Sequence, residues 1–104
     1  MEEAEEQYAN AIKKLYADRT AITRLANAFT SLTKYDLAIK TFEEGGRLLR
    51  DDSVFAYNLG DMYRRKGDIP KMISNYLNSL RSAPNRINTI KTILQITISE
   101  EDYL

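Results

Sequence analysis

The chain is expected to be all-α, a solenoid of stacked helical hairpins in which two full hairpins are flanked by one further helix on each side. Three observations predict this. Shifted by 34 residues, the sequence falls on its own apolar pattern: Ala4 and Tyr8 land on Ala38 and Phe42, Leu25 and Phe29 on Leu59 and Tyr63, and Phe42 on Tyr76. A fixed period of this length marks an array of supersecondary units, none of which can bury its apolar face alone. Within a period, Ile22, Leu25, Ala26 and Phe29 recur at the three- and four-residue steps of one helical face. Small residues (Ala26, Ala38, Gly45, Gly60, Ser79) alternate with large ones (Leu25, Phe29, Phe42, Leu59, Tyr63, Tyr76). The small ones let helix axes approach, and each large one contributes roughly 1.5 to 3 kcal/mol when buried.

The first element, residues 1–18, carries Ala4-x-x-x-Tyr8-x-x-Ala11 and reads as the second helix of a hairpin whose first helix is missing. Residues 19–52 make the first full unit. Its first helix holds the Ile22 to Phe29 stripe, and Thr33-x-x-Asp36 has the form of a capping box, with Asp in place of Glu, at the start of its second helix. Gly45-Gly46 is expected to end that helix, and Asp52 or Ser53 to cap the next.

Residues 53–86 make the second unit. Leu59-Gly60-x-x-Tyr63 sets its first helix, and Gly67-Asp68-Ile69-Pro70 is a turn with proline near the first helical position. Pro84 closes the helix that contains Tyr76. In residues 87–104, Ile90-x-x-Ile93-Leu94 stands in the register of a new first helix, either of a truncated unit or as a cap. Leu94 falls where Gly60 stood one period earlier, so it is expected to push its helix away from its neighbour or rotate it. Ser99-x-x-Asp102 reads as the start of one more helix.

The spacing inside each period resembles the tetratricopeptide repeat, a 34-residue helix-turn-helix with a Leu-small-x-x-aromatic first helix, an Ala-x-x-x-aromatic second helix and a closing proline. Leu25-Ala26-x-x-Phe29 with Ala38-x-x-x-Phe42, and Leu59-Gly60-x-x-Tyr63 with Gly67-Asp68, Tyr76 and Pro84, carry the resemblance, which spans essentially the whole chain. Ile22 and Ala56 stand where that family often has tryptophan, Met72 replaces a small residue, and Arg50 stands where the first unit would have its proline. The resemblance implies a right-handed superhelix. Both ends then fall inside repeats, so the chain is expected to be a stretch of a longer array, the alternative being a small complete protein whose end helix folds back or pairs with a second copy.

Composition narrows the function. The 104 residues are 43% hydrophobic and 29% charged with zero formal net charge, which fits one soluble helical domain. No apolar run approaches the length that spans a bilayer. Met1 precedes four glutamates at positions 2, 3, 5 and 6, the opposite of an export signal, although in a stretch of a longer chain an upstream signal would lie outside these residues. The compartment therefore stays open, with the cytoplasm favoured. Histidine and cysteine are both absent, which removes the usual transition-metal ligands, the commonest general base and the thiol nucleophile. No phosphate loop or nucleophile elbow is present. The adjacent carboxylates Glu43-Glu44 and Asp51-Asp52 read as solvated surface. No enzyme activity and no cofactor are expected.

What remains is recognition. The resemblance places the binding groove on the inner surface, lined by the first helix of each pair. In the first full unit this face comprises Thr20, Thr23, Arg24 and Asn27, continued by Thr30 and Ser31. In the second unit it comprises Val54, Tyr57, Asn58, Asp61, Arg64 and Arg65, and the last helix adds Asn88, Lys91 and Gln95. Arg24, Arg64, Arg65 and Lys91 against Asp61 make the strip locally basic. Residues 1–18 hold five acids and two bases, while residues 53–86 hold two acids and six bases. Such separation suits an acidic protein or peptide partner, or electrostatic matching between neighbouring units.

Some family members hold a terminal carboxylate with two asparagines and several cations. Asn27 and Asn58 match the amides, but Thr23, Asn88 and Thr92 stand in place of the cations, so that clamp is not expected. Tyr57 is the strongest single candidate for concentrated binding energy. The expected function is a protein-interaction scaffold, with a structural, self-associating array as the alternative. Nucleic-acid binding is not expected, because the ends are acidic and no continuous basic stripe is present.

Overall fold

The computed structural model describes residues 2–100, which form six α-helices and no strand. The helices are α1 (Glu2–Lys13), α2 (Arg19–Ser31), α3 (Tyr35–Leu48), α4 (Ala56–Lys66), α5 (Ile69–Ser79) and α6 (Ile87–Glu100), with one 3-10 turn at Pro84–Arg86 leading into the last. The closest helix pairs are α4 with α5 and α2 with α3, joined to one another by contacts between α3 and α4, while α1 lies against α3 and α6 against α5. The body measures 45 × 29 × 17 Å. Its radius of gyration, 14.5 Å, exceeds the roughly 13 Å of a compact domain of about 100 residues, so the body is elongated.

Several residues 34 apart are buried alike. Ile22 and Ala56, Ala26 and Gly60, Ala38 and Met72, Phe42 and Tyr76, and Gly45 and Ser79 are all buried. They build two neighbouring cores. One joins Ile22, Ala26 and Phe29 of α2 to Ala38, Ile39 and Phe42 of α3 and to Leu59 and Met62 of α4, with Tyr8, Ile12 and Leu15 packed at its edge. The other joins Ile69, Met72 and Tyr76 of α5 to Ile90 of α6. Tyr8 packs edge-on against Phe29, ring centres 5.2 Å apart, which is how α1 is attached to the first hairpin.

Two glycines explain how close the helices come. A Cβ on Gly60 would sit 2.4 Å from the Tyr76 ring, and one on Gly45 would sit 2.5 Å from an Ile22 methyl. The expectation that Gly45-Gly46 ends its helix is therefore corrected. Both are buried inside α3, which continues to Leu48, and the absence of a side chain at Gly45 serves close packing against α2.

Helices α2, α3 and α4 end alike, on a residue with left-handed backbone: Thr33 at φ 57°, Arg50 at φ 57° and Gly67 at φ 79°. In each, the following amide closes back on the last turn. Lys34 N–H donates to the Phe29 carbonyl at 2.8 Å, Asp51 N–H to Gly46 at 3.0 Å, and Asp68 N–H to Tyr63 at 2.9 Å. This is the Schellman arrangement, for which glycine is the natural residue. Thr33 and Gly67 are one period apart, so the same turn is built once with a strained residue and once with a relaxed one.

The capping box expected at Thr33-x-x-Asp36 does not form. Thr33 is taken up in closing α2, its hydroxyl donates to the Leu32 carbonyl at 2.6 Å, and Lys34 stands at the N-cap of α3 with no side-chain cap. A turn this short cannot supply both a left-handed C-terminal residue and an extended N-cap at the same position. Asp36 instead pairs with Lys66 at the end of α4. Nor does Asp52 or Ser53 cap α4: the Asp51 carboxylate accepts from the Ser53 amide at 3.0 Å and its hydroxyl at 2.6 Å, and the helix begins later, at Ala56. Phe55, at the N-cap position, is buried in the first core. Asp18 caps α2, accepting from Thr20 N–H at 2.8 Å, and Asp68 caps α5, accepting from Lys71 N–H at 3.2 Å. Ser99 starts no new helix but lies inside α6, and Asp102 falls outside the described residues. Leu94 is half-buried at the second core, and α6 approaches α5 less closely than α4 does.

Candidate interaction surface

The side chains named for the groove sit at or near the surface on three helices. On α2, Thr20, Arg24, Asn27 and Ser31 are exposed and Thr23 is half-buried. Arg19, which the sequence reading did not include, joins Thr20, Thr23 and Arg24 around a shallow recess of about 240 Å³. They share a face because they lie one and two turns apart on a helix anchored by Asp18. Thr30 is not free to bind: its hydroxyl donates to the Ala26 carbonyl at 2.9 Å and lies beside the Met62 sulfur.

On α4 the picture divides. Tyr57, Asn58 and Asp61 are half-buried, and Arg64 and Arg65 are exposed. Tyr57 packs on Tyr76 with ring centres 5.3 Å apart, and the Tyr76 hydroxyl donates to the Asp61 carboxylate at 2.6 Å. Burial first, and then that hydrogen bond to Asp61, push the Tyr76 phenol well above the ordinary tyrosine range. It stays a neutral donor. Arg65 lies 5.8 Å over the ring of Tyr35 on α3, which separates it from Arg64. Val54 precedes the helix, in the turn before α4, and packs half-buried against the first core.

On α6, Asn88, Lys91 and Gln95 are all exposed, and the Asn88 carbonyl accepts from the Thr92 hydroxyl at 3.1 Å. The residue the sequence reading missed here is Arg86, on the 3-10 turn, whose guanidinium lies 4.7 Å over the Tyr57 ring. It stands at the end of a unit in sequence, where no helical face can be assigned to it. Only the turn that starts at Pro84 carries it back over α4. Polar and cationic side chains are thus exposed on each of α2, α4 and α6, and Tyr57 of α4 packs on the buried Tyr76 of α5. The exposed side chains offer hydrogen bonding and charge pairing.

A second surface is apolar. Ile69, Pro70 and Ile73 of α5 and Ile98 of α6 line a recess of about 400 Å³ almost free of polar atoms. Ile39, one period before Ile73, is buried, whereas Ile73 is half-exposed, because α4 covers the first hairpin more fully than α6 covers the second. Leu77 and Ile96 add exposed apolar area on the same two helices.

Among the described residues no helix is long and apolar enough to cross a membrane, and no three acidic side chains gather as metal ligands would. In comparisons with protein-family models, with characterised proteins and with solved structures, nothing matches this chain.

Proposed function

We propose that this chain is a tetratricopeptide-like stretch of a right-handed helical-hairpin array, and that it is a non-catalytic scaffold binding a protein or peptide across the face presented by α2, α4 and α6. The observation that carries the reading is the burial of matched positions 34 apart in both hairpins, Ile22 with Ala56, Ala26 with Gly60, Ala38 with Met72 and Phe42 with Tyr76, in an elongated body. Stacked units of this sort leave a continuous surface along their first helices, suited to an extended segment or a partner helix. Exposed Arg24, Asn27, Arg64 and Lys91 give that surface donors for carbonyl and carboxylate groups.

The test is capture of partners from a cell lysate by the wild-type chain beside a variant carrying Arg24→Ala, Asn27→Ala, Arg64→Ala and Lys91→Ala. These side chains are exposed, so the variant is expected to keep the wild-type melting curve. Partners lost by the variant alone support the reading. Partners retained equally by both place binding elsewhere. A second reading, self-association through the end helices, is favoured by the apolar recess at Ile69, Pro70, Ile73 and Ile98. Sedimentation that depends on concentration in the wild type and not in Ile98→Lys would favour it over the first.

A further inference from the structure

We propose that Tyr57 and Arg86 together form a recognition element for a carboxylate side chain, so that the partner of the α2, α4 and α6 face is an acidic peptide. The inference rests on the interaction reading above and adds the chemistry of the ligand. Its basis is a guanidinium whose position is set from beneath and which no acid neutralises.

The support is built in layers. Tyr76 is fully buried, with its ring against Gly60 and its hydroxyl on Asp61 at 2.6 Å. Tyr57 packs on that ring with centres 5.3 Å apart and planes tilted by 51°. Arg86 lies over Tyr57 at 4.7 Å, carried there by a 3-10 turn whose backbone closes from Arg86 N–H to the Ala83 carbonyl at 3.1 Å. A guanidinium held by an aromatic ring still has donors free, and its planar fork fits a carboxylate with two parallel hydrogen bonds.

The charges around it point the same way. Asp61 lies one turn beyond Tyr57 on α4, where its carboxylate accepts from the Tyr76 hydroxyl and forms no ion pair with Arg86. Among the described residues Arg86 belongs to no ion pair, as is true of most of the chain's cations, but it is the one held over Tyr57. Exposed Arg64 stands two turns beyond Tyr57 on α4, and Lys91 is exposed on the first turns of α6. An incoming carboxylate therefore meets an oriented fork flanked by further positive charge. The amide clamp considered from the sequence used Asn27 and Asn58; the cation here comes from the link between α5 and α6.

The test is a titration of the isotope-labelled chain with acetyl-tetraglutamate amide, and separately with acetyl-tetraglutamine amide, followed by nuclear magnetic resonance at the Arg86 side-chain N–H and the Tyr57 ring. The expected result is saturable shifts at both groups with the glutamate peptide and none with the glutamine peptide. Arg86→Gln is expected to weaken glutamate-peptide binding about tenfold or more, as loss of a charge-assisted pair does. Arg86→Lys keeps the charge but not the planar fork, and should recover less than half of that loss. Tyr57→Phe should bind as the wild type does. Equal binding by Arg86→Gln, or equal response to the glutamine peptide, would overturn the proposal, as would preference for a phosphoserine peptide. Lysate partners captured equally by wild type and Arg86→Gln, yet lost by the four-site variant, would overturn this inference and leave the interaction reading standing.

Discussion

The same substitution, glycine to alanine, is expected to act in opposite directions at Gly60 and Gly46. In a helix interior the exchange by itself favours the folded state by roughly 0.8 to 1 kcal/mol. At Gly46 nothing opposes it, because the nearest atoms to a new Cβ are the Asp51 carbonyl oxygen and Asp52 Cα, both at 3.5 Å, an ordinary contact distance. Gly46→Ala should therefore stabilise by about 0.5 to 1 kcal/mol. At Gly60 the new Cβ would lie 2.4, 2.5 and 2.9 Å from three carbons of the Tyr76 ring. That ring cannot swing away, being fully buried, bonded through its hydroxyl to Asp61 and flanked by Tyr57. Overpacking of this kind costs about 1 to 3 kcal/mol, and a ring pinned at both ends places Gly60→Ala near the top of that range. After the helix-propensity gain, a net loss of about 2 kcal/mol remains. Urea unfolding followed by circular dichroism would read the two variants as midpoints displaced to opposite sides of the wild type with unchanged slope. A Gly60→Ala chain as stable as wild type would refute the close packing of α4 on α5. The companion test is Gly60→Ala combined with Tyr76→Leu, which should lose less than the two single changes added together.

Thr33→Gly with Lys34→Asp transplants the Gly67-Asp68 turn to its equivalent one period earlier, relieving a left-handed threonine and adding an N-cap to α3; each change is expected to add about 1 kcal/mol by thermal or urea melts. Alkali should unfold the chain through Tyr76. Its phenol is raised by burial and by Asp61, so its contribution is fully present below the ordinary tyrosine value of about 10 and is lost as pH rises above it. Tyr76→Phe, though less stable at neutral pH, should show a flatter decline when melts at about pH 8 and about pH 11 are compared. Asp36→Asn removes the exposed pair with Lys66, whose hydrogen bond holds the Asp36 carboxyl below its usual range, and should leave the melting curve unmoved because water screens the pair.

The core was readable from the sequence because burial is a property of spacing. Ile22, Ala26, Phe42 and Tyr76 are buried where a 34-residue period and a helical step put them. Helix ends were less readable, since Thr33 can serve either as the N-cap of one helix or as the left-handed terminus of the one before. The backbone closure from Lys34 to Phe29 settles which. Gly45 shows the same ambiguity between breaking a helix and admitting a neighbour, resolved by Ile22 lying where a Cβ would be. Along the candidate surface, Arg24 and Lys91 are exposed as helical register implies, while Tyr57 and Asp61 are drawn onto Tyr76 by contacts that join different helices. Arg86 was invisible because a 3-10 turn has no extended periodicity to read.

The pairwise packing of the helices also governs how the molecule comes apart. Each helix leans chiefly on its immediate neighbours, and α6 is the most lightly held, so opening need not be all-or-none. Amide hydrogens in α6 should exchange soonest, those in α1 next, and those in α2, α3 and α4 only when the first core is breached. Damage at one end is then contained. The two hairpins can keep their shape and present their surface while the last helix opens and closes.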